Sequence, residues 1–421
     1  MHLQGLSKIL KTKTFSQSSL TISATILNGI LGVIFFILLA RILGPESLGI
    51  FAFTIAFITL AADIANLGTD TGIIRFIGKY INSGEDKKFL KLGLELKILA
   101  WAAVFLIGWI HTPFIAVTFF NKAELIFPLR LALFGIGGAL LYSFITASLQ
   151  AYQKYLAYSL IMIGTNGLRL LLAIVFVIFS AISVKNSLLI YMVVPFFGFF
   201  AGLVILPNFL SAKNEWSVAK LFFHYNKWIA SISVVSAIGL RLDTFLLTKF
   251  LTIAEVGIYS VAVQLTSFIP QIFFALAAVA APKLASFDEK NKVRAYFSKL
   301  QLLTIGMAFI GLLGIPLGFI LIPILYGSEY LASVIPFVVL LLGQILFLLS
   351  LPSHQAVYYY FAKPKIIFLT SIIEVLVIAL SGLVLIPELG IVGASISIFL
   401  GRVVIFLIPV IWVSFNLFYK K

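Results

Sequence analysis

Runs of about twenty predominantly apolar residues recur along this chain, and they leave few folds open. In hydrocarbon only a helix or a closed barrel satisfies its own backbone. The runs are unbroken rather than alternating in ten-residue segments, which selects helices over a barrel. They fall at 20–40, 49–70, 92–110, 127–149, 158–180, 188–209, 228–250, 257–281, 302–326, 332–357, 366–386 and 391–415. Hydrophobic residues make up 62% of the 421 positions and charged residues 11%. Soluble domains carry about 45–50% and 25%, so no soluble core accounts for this balance. The expectation is an all-α integral membrane protein with twelve transmembrane helices.

The formal net charge is +15, which in a soluble protein would suggest nucleic acid. Here the charges sort by loop. Of the 30 Lys and Arg, 21 fall in segments 1–19, 71–91, 150–157, 210–227, 282–301, 358–365 and 416–421. Only Arg41, Lys122, Lys185 and Lys249 fall in the opposite loops. The positive-inside rule then places both termini in the cytoplasm of a multi-pass protein of the cytoplasmic membrane, with no nucleic-acid partner. Lys8, Lys11 and Lys13 precede the first apolar run, as in a signal peptide. That run is too long for a leader and ends in Arg41-Ile-Leu-Gly-Pro45 rather than a small-x-small site, so it reads as the first span.

The chain repeats itself. Arg41-Ile-Leu-Gly-Pro-Glu-Ser-Leu-Gly-Ile-Phe51 has an echo in Lys249-Phe-Leu-Thr-Ile-Ala-Glu-Val-Gly-Ile-Tyr259, at an offset of 249 − 41 = 208 residues. Gly49 falls on Gly257, Ile50 on Ile258 and Phe51 on Tyr259. Gly44 and Pro45 should break one helix and Gly49 start the next. Two six-helix lobes follow, 1–210 and 211–421, in the same orientation and related by a pseudo-two-fold axis along the membrane normal.

With Leu39-Ala-Arg-Ile-Leu-Gly-Pro-Glu-Ser-Leu-Gly-Ile-Phe51, Asp63, Asn66-Leu-Gly68, Arg241-Leu-Asp243 and Val256-Gly-Ile-Tyr-Ser260, the chain resembles the polysaccharide-biosynthesis, lipid-linked oligosaccharide flippases of the multidrug/oligosaccharidyl-lipid/polysaccharide (MOP) superfamily. The resemblance implies two lobes in a V around a central cavity, alternating access, and a lipid-linked glycan as substrate. It also implies a glycan polymerase or glycosyltransferases as partners.

Charges inside spans are costly, about 2.5–3.5 kcal/mol each at the helix centre on insertion scales, so each needs a partner, water or a purpose. Arg169 and Arg402 fall near mid-depth and have no acid within a turn on their own helix. An acid elsewhere or an anionic substrate must answer them. Arg241 is a third candidate for substrate contact. Asp63, Asp243 and Glu374 are candidates for ion coupling. Positions 241 and 243 lie about 200° apart, so at most one faces a central cavity. Lys97, about five residues from the inner surface, is expected to snorkel. Tyr358-Tyr-Tyr-Phe361 reads first as an interfacial aromatic belt, and Gly135-Ile-Gly-Gly138 as a close helix contact. The four His show no ligand spacing and there is no Cys, so no metal and no cofactor is expected.

Three function classes compete. Mid-depth Arg and a first span without acids favour a flippase for an anionic lipid-linked oligosaccharide over an ion-coupled drug exporter of the same superfamily. An enzyme acting on lipid-linked glycans would need a large outer loop bearing acids or His, and the outer loops are short. No phosphate-binding Gly-rich loop ending in Lys-Ser/Thr occurs, so nucleotide hydrolysis is not expected.

Overall fold

The computed structural model describes residues 13–81 and 83–419. Lys8 and Lys11 of the first basic segment, and Lys420 and Lys421 of the last, lie outside the described residues. Helices account for nearly all of the described chain, and no strand occurs among the described residues.

Among the described residues, ten helical stretches are long and apolar enough to cross a membrane. The first helix, α1 (Lys13–Asn66), has 54 residues, and the last, α14 (Pro364–Ser414), has 51. At 1.5 Å per residue each is roughly 75–80 Å long, more than two bilayer cores. Each is broken once, α1 at Gly44 (φ 75°, ψ 171°) and α14 at Gly390 (φ 59°, ψ −136°). These are conformations that only glycine adopts without strain. In α14 the chain folds back there. A Cβ on Gly393 would lie 2.5 Å from the carbonyl carbon of Leu385, and Glu374 meets Arg402 at 2.9 Å. Ten stretches, two of them double, make the twelve expected spans.

The remaining helices follow in order: α2 (Thr69–Tyr80), α3 (Glu85–Pro113), α4 (Ile126–Ala151), α5 (Tyr155–Ile178), α6 (Val184–Ile205), α7 (Trp216–Phe250), α8 (Ile253–Thr266), α9 (Phe268–Ala285), α10 (Lys290–Leu312), α11 (Gly314–Leu325), α12 (Val334–Leu349) and α13 (Leu351–Gln355). Two expectations are corrected. Gly49 does not start a helix, since the chain is already helical beyond Gly44 and Gly49 lies a turn inside. The long segments 71–91 and 282–301 are not loops, because α2, α3, α9 and α10 run through most of both.

The repeat uses different chemistry at its two breaks. Position 252 is the equivalent of Gly44, and there Thr252 caps α8. The Glu255 amide donates to Thr252 Oγ1 at 3.3 Å, and the Thr252 amide donates back to Glu255 Oε2 at 2.9 Å. This Thr-x-x-Glu box satisfies two orphan donors at the helix start.

The described residues form two compact units, those up to Ile42 with Thr54–Ala237, and Leu43–Phe53 with those from Ile238 onward. In the first, Ile73, Phe76, Phe89, Leu90, Phe144 and Phe222 bring together α2, α3, α4 and the first turns of α7. Phe76 stacks on Phe89 with centroids 4.8 Å apart. This explains why that unit runs on into α7. Within the spans, lipid is as apolar as leucine, so close packing rather than apolar burial joins helices. Gly137 gives way to the Trp101 ring, and a Cβ on Gly138 would lie 2.8 Å from the Met192 carbonyl oxygen. The Gly135–Gly138 stretch is thus where α3 and α6 approach α4.

Candidate functional site

Polar side chains in the spans collect into four groups, each held by backbone that the sequence shapes locally. In the first unit Arg169 lies on α5, about 14 residues from its start and 9 from its end, so roughly 21 Å and 14 Å along the axis. Its Nη1 donates to Asn166 Oδ1 at 2.8 Å and its Nη2 to the Tyr191 carbonyl at 3.2 Å. The guanidinium sits 4.1 Å from the centroid of the Tyr191 ring. Asn166 in turn donates to Asn28 Oδ1 of α1 at 2.8 Å. Arg169 Nε is buried with no acceptor, and the residue makes no ion pair among the described residues. Its charge is answered by neutral dipoles and a ring face alone.

In the second unit Arg402 is paired. Its Nη1 lies 2.9 Å from Glu374 Oε1, with the two side chains 15% and 12% exposed. Its guanidinium covers the Phe347 ring at 4.9 Å, and its Nε is buried without an acceptor. Of the two answers open to Arg402, an acid elsewhere is the one observed. Glu374 stands 374 − 166 = 208 residues after Asn166. Equivalent positions in the two halves therefore each hold an arginine, one with a neutral amide and one with a carboxylate.

Lys97 corrects an expectation. It does not snorkel. Its side chain is 0% exposed and its ammonium lies 2.7 Å from Asp70 Oδ1. It also donates to Asn66 Oδ1 and Ser143 Oγ, each at 2.7 Å. One ion pair and two hydrogen bonds make a buried ammonium tolerable here. The acceptors converge because the chain breaks at Leu67 (φ 48°) and Gly68 (φ 71°). Asn66 Nδ2 bridges that break to Asp70 Oδ2 at 2.9 Å, and Thr69 Oγ1 donates to Asn66 Oδ1 at 2.5 Å.

Asp243 is buried on α7, where it accepts from Tyr259 Oη at 2.7 Å and from the Thr244 amide at 2.7 Å. Tyr259, on α8, is fully buried, so this pair ties the two helices together. Arg241 is half-buried on the same helix, and Asp63 is exposed one turn before Asn66. Each unit therefore groups its own candidates differently. Arg402 and Glu374 meet, Asp63 lies near the Lys97 network, and Arg169 makes no ion pair among the described residues. Asn28, Asn166, Tyr191 and Phe347 escaped sequence reasoning. The two asparagines left a signal, as amides inside otherwise apolar spans. Among the described residues no group of His, Cys, Asp and Glu could hold a metal ion.

Residues 16–288 match the family model described as polysaccharide biosynthesis protein. No curated protein matches the chain in sequence. Among solved structures, it is similar to the lipid II flippase MurJ in an inward closed conformation, with a TM-score of 0.77, 15% identity, and 94% of this chain and 87% of that one covered. It is also similar to a multidrug resistance MATE family transporter of the MOP superfamily in an inward-facing conformation, with a TM-score of 0.75, 14% identity and 94% and 97% covered. A MOP superfamily transporter from Pyrococcus furiosus, whose binding pocket is described as reversed in polarity, aligns with a TM-score of 0.62, 14% identity and 95% and 93% covered. At such identities the likeness is one of fold.

Proposed function

The chain belongs to the polysaccharide biosynthesis protein family, and on that premise we propose that it is a flippase moving a lipid-linked oligosaccharide or polysaccharide precursor across the cytoplasmic membrane. Both termini lie in the cytoplasm on this reading, which rests on the loop asymmetry of Lys and Arg. The observation that carries it is Arg169, a mid-depth cation with no carboxylate partner among the described residues. A lipid pyrophosphate carries about two negative charges, and desolvating even one ion costs several kcal/mol. A guanidinium held by dipoles alone lowers that cost, because its planar fork binds phosphate oxygens in pairs.

Arg402 takes a different part. Glu374 already neutralises it, so substrate or a proton must open that pair before Arg402 can meet phosphate. Arg241 is a further cation for the substrate path. Asp63 is the more exposed of these two ion-coupling candidates, and Asp243 accepts a hydrogen bond from Tyr259. A glycan polymerase or glycosyltransferases would supply or consume the cargo.

Reconstitution tests the proposal. Liposomes carrying the protein and a fluorescent polyprenyl-pyrophosphate oligosaccharide in one leaflet should lose leaflet asymmetry, and liposomes with Arg169→Ala should not. If the wild-type protein leaves the glycolipid in place and instead extrudes a cationic drug against a proton or sodium gradient, the ion-coupled exporter is the correct reading.

A further inference from the structure

α5 and α6 touch at their outer halves and part at the other end. Arg169 and Tyr191 join them at one level, and just below a Cβ on Gly198 would lie 2.8 Å from both Thr165 Oγ1 and the Tyr142 ring. Along that contact and from it toward the start of α5, the two helices line an open cleft of about 390 Å³. Its walls are two stripes, Leu156, Leu160 and Leu168 among those on α5, and Phe197, Ala201 and Ile205 among those on α6. Thr165 is the one polar residue lining it. Gly164 opens the wall further, since nothing lies within 4 Å of where its Cβ would be. From Leu156 to Leu168 is 12 residues, roughly 18 Å, close to the depth of one leaflet.

The mouth of this slot is charged. Lys154 donates to the carbonyl of Ile205, itself a wall residue, at 2.6 Å. That contact answers an orphan carbonyl at the end of α6. It also fixes an exposed ammonium over the opening, with two donors to spare and no ion pair among the described residues. The chain on either side, Gln150 to Lys154, has no acid.

We infer that this slot is a binding site for an anionic phospholipid, with one acyl chain between α5 and α6 and the headgroup phosphate on Lys154. An unbranched chain of one leaflet's depth fits a slot that runs from the Lys154 end of α5 to Leu168. A polyprenyl tail, methyl-branched and far longer than one leaflet, does not. The inference stands apart from what the protein transports, because Lys154 precedes Arg169 on the chain by 169 − 154 = 15 residues, roughly 22 Å along α5, so the phosphate it takes is not the one that meets Arg169.

Native mass spectrometry of the delipidated protein in detergent tests it, with phosphatidylglycerol, phosphatidylcholine and a polyprenyl phosphate as probes. The wild type should take up one phosphatidylglycerol, roughly fivefold more tightly than phosphatidylcholine, as one surface lysine warrants. Lys154→Gln should erase that preference while leaving phosphatidylcholine bound. Gly164→Leu should lower occupancy of both phospholipids at least tenfold by filling the slot. Ala201→Leu, from the facing wall, serves the same end if Gly164→Leu does not fold. Undiminished phosphatidylglycerol in the wall variant, an unchanged preference in Lys154→Gln, or displacement by an equal concentration of polyprenyl phosphate would each overturn the assignment.

Discussion

Gly49 and Gly257 are seated against each other's first turn. A Cβ on Gly49 would run into the carbonyl oxygen of Ile253, and a Cβ on Gly257 into that of Pro45. Ile253 precedes Gly257 by four residues, as Pro45 precedes Gly49, and 253 − 45 is again 208. The two copies of the repeated stretch thus make one reciprocal contact with a local two-fold. All four residues lie in the second unit, which is why Leu43–Phe53 belongs to it.

Alanine at either glycine should therefore be destabilising, because the obstacle is backbone that no rotamer change removes. The expected loss is about 1–3 kcal/mol for Gly49→Ala or Gly257→Ala. The double variant should cost less than the sum, since the first methyl already forces the turns apart. Gly78→Ala on α2, where nothing lies within 4 Å, is the control and should be neutral or stabilising. Thermal unfolding in detergent decides it, and additive losses would refute the reciprocal contact.

The Arg402–Glu374 pair makes a second test. Arg402→Ala leaves a carboxylate buried at 12% exposure, which should cost about 3–5 kcal/mol. Arg402→Met with Glu374→Leu removes both charges and should unfold near the wild-type temperature. A double variant that folds but no longer translocates glycolipid would assign the charges to transport. A single variant as stable as the double would show that the pair is not buried in effect.

Lys97 separates burial from snorkelling by magnitude. A snorkelling lysine changed to Met should shift stability by no more than about 0.5 kcal/mol. With Asp70, Asn66 and Ser143 left facing a methyl group, Lys97→Met should instead lose about 3–5 kcal/mol. Adding Asp70→Asn should recover part of it by removing the orphaned charge. The two unfolding midpoints, compared in one detergent, read this out.

Topology should follow the charges. The chain has no native Cys, so single cysteines report cleanly. Lys185 and Ser328 are exposed and should label in intact cells, whereas Ser83 and Asn291, also exposed, should label only after permeabilisation. Asp86 is no use as a probe. It is buried and accepts from Tyr152 Oη at 2.7 Å, and burial together with that carboxylate holds the Tyr152 phenol well above its usual range. Labelling at Ser83 in intact cells would reverse the orientation.

These cases mark what a single sequence discloses here. Helices, their number and the repeat were legible because hydropathy is a sum over twenty residues and survives local error. The partner of Arg402 was not, since Glu374 is 28 residues away and meets it only because Gly390 turns the chain back. Lys97 failed for the same reason on a smaller scale. Asp70 faces it only after two successive left-handed residues at 67 and 68 reorient the chain. A sequence shows which residues share a helix face, and a break in the helix rewrites that relation.

Arg169 gives the sharpest prediction, because it differs from Arg402 in what its removal leaves behind. Arg169→Ala forfeits two hydrogen bonds and a ring contact, but no carboxylate is stranded. Its cost should be about 1–3 kcal/mol, against 3–5 for Arg402→Ala, so the protein should accumulate in the membrane at near-normal level. Glycolipid translocation should nonetheless fall to background, since the cation that meets the phosphate is gone. Arg169→Lys keeps the charge but loses the planar fork, and should restore translocation only in part. Arg169→Gln keeps much of the hydrogen bonding without charge and should behave like alanine. If Arg169→Gln translocates as well as wild type while Arg169→Ala does not, the residue positions α5 against α6 and its charge plays no part with substrate.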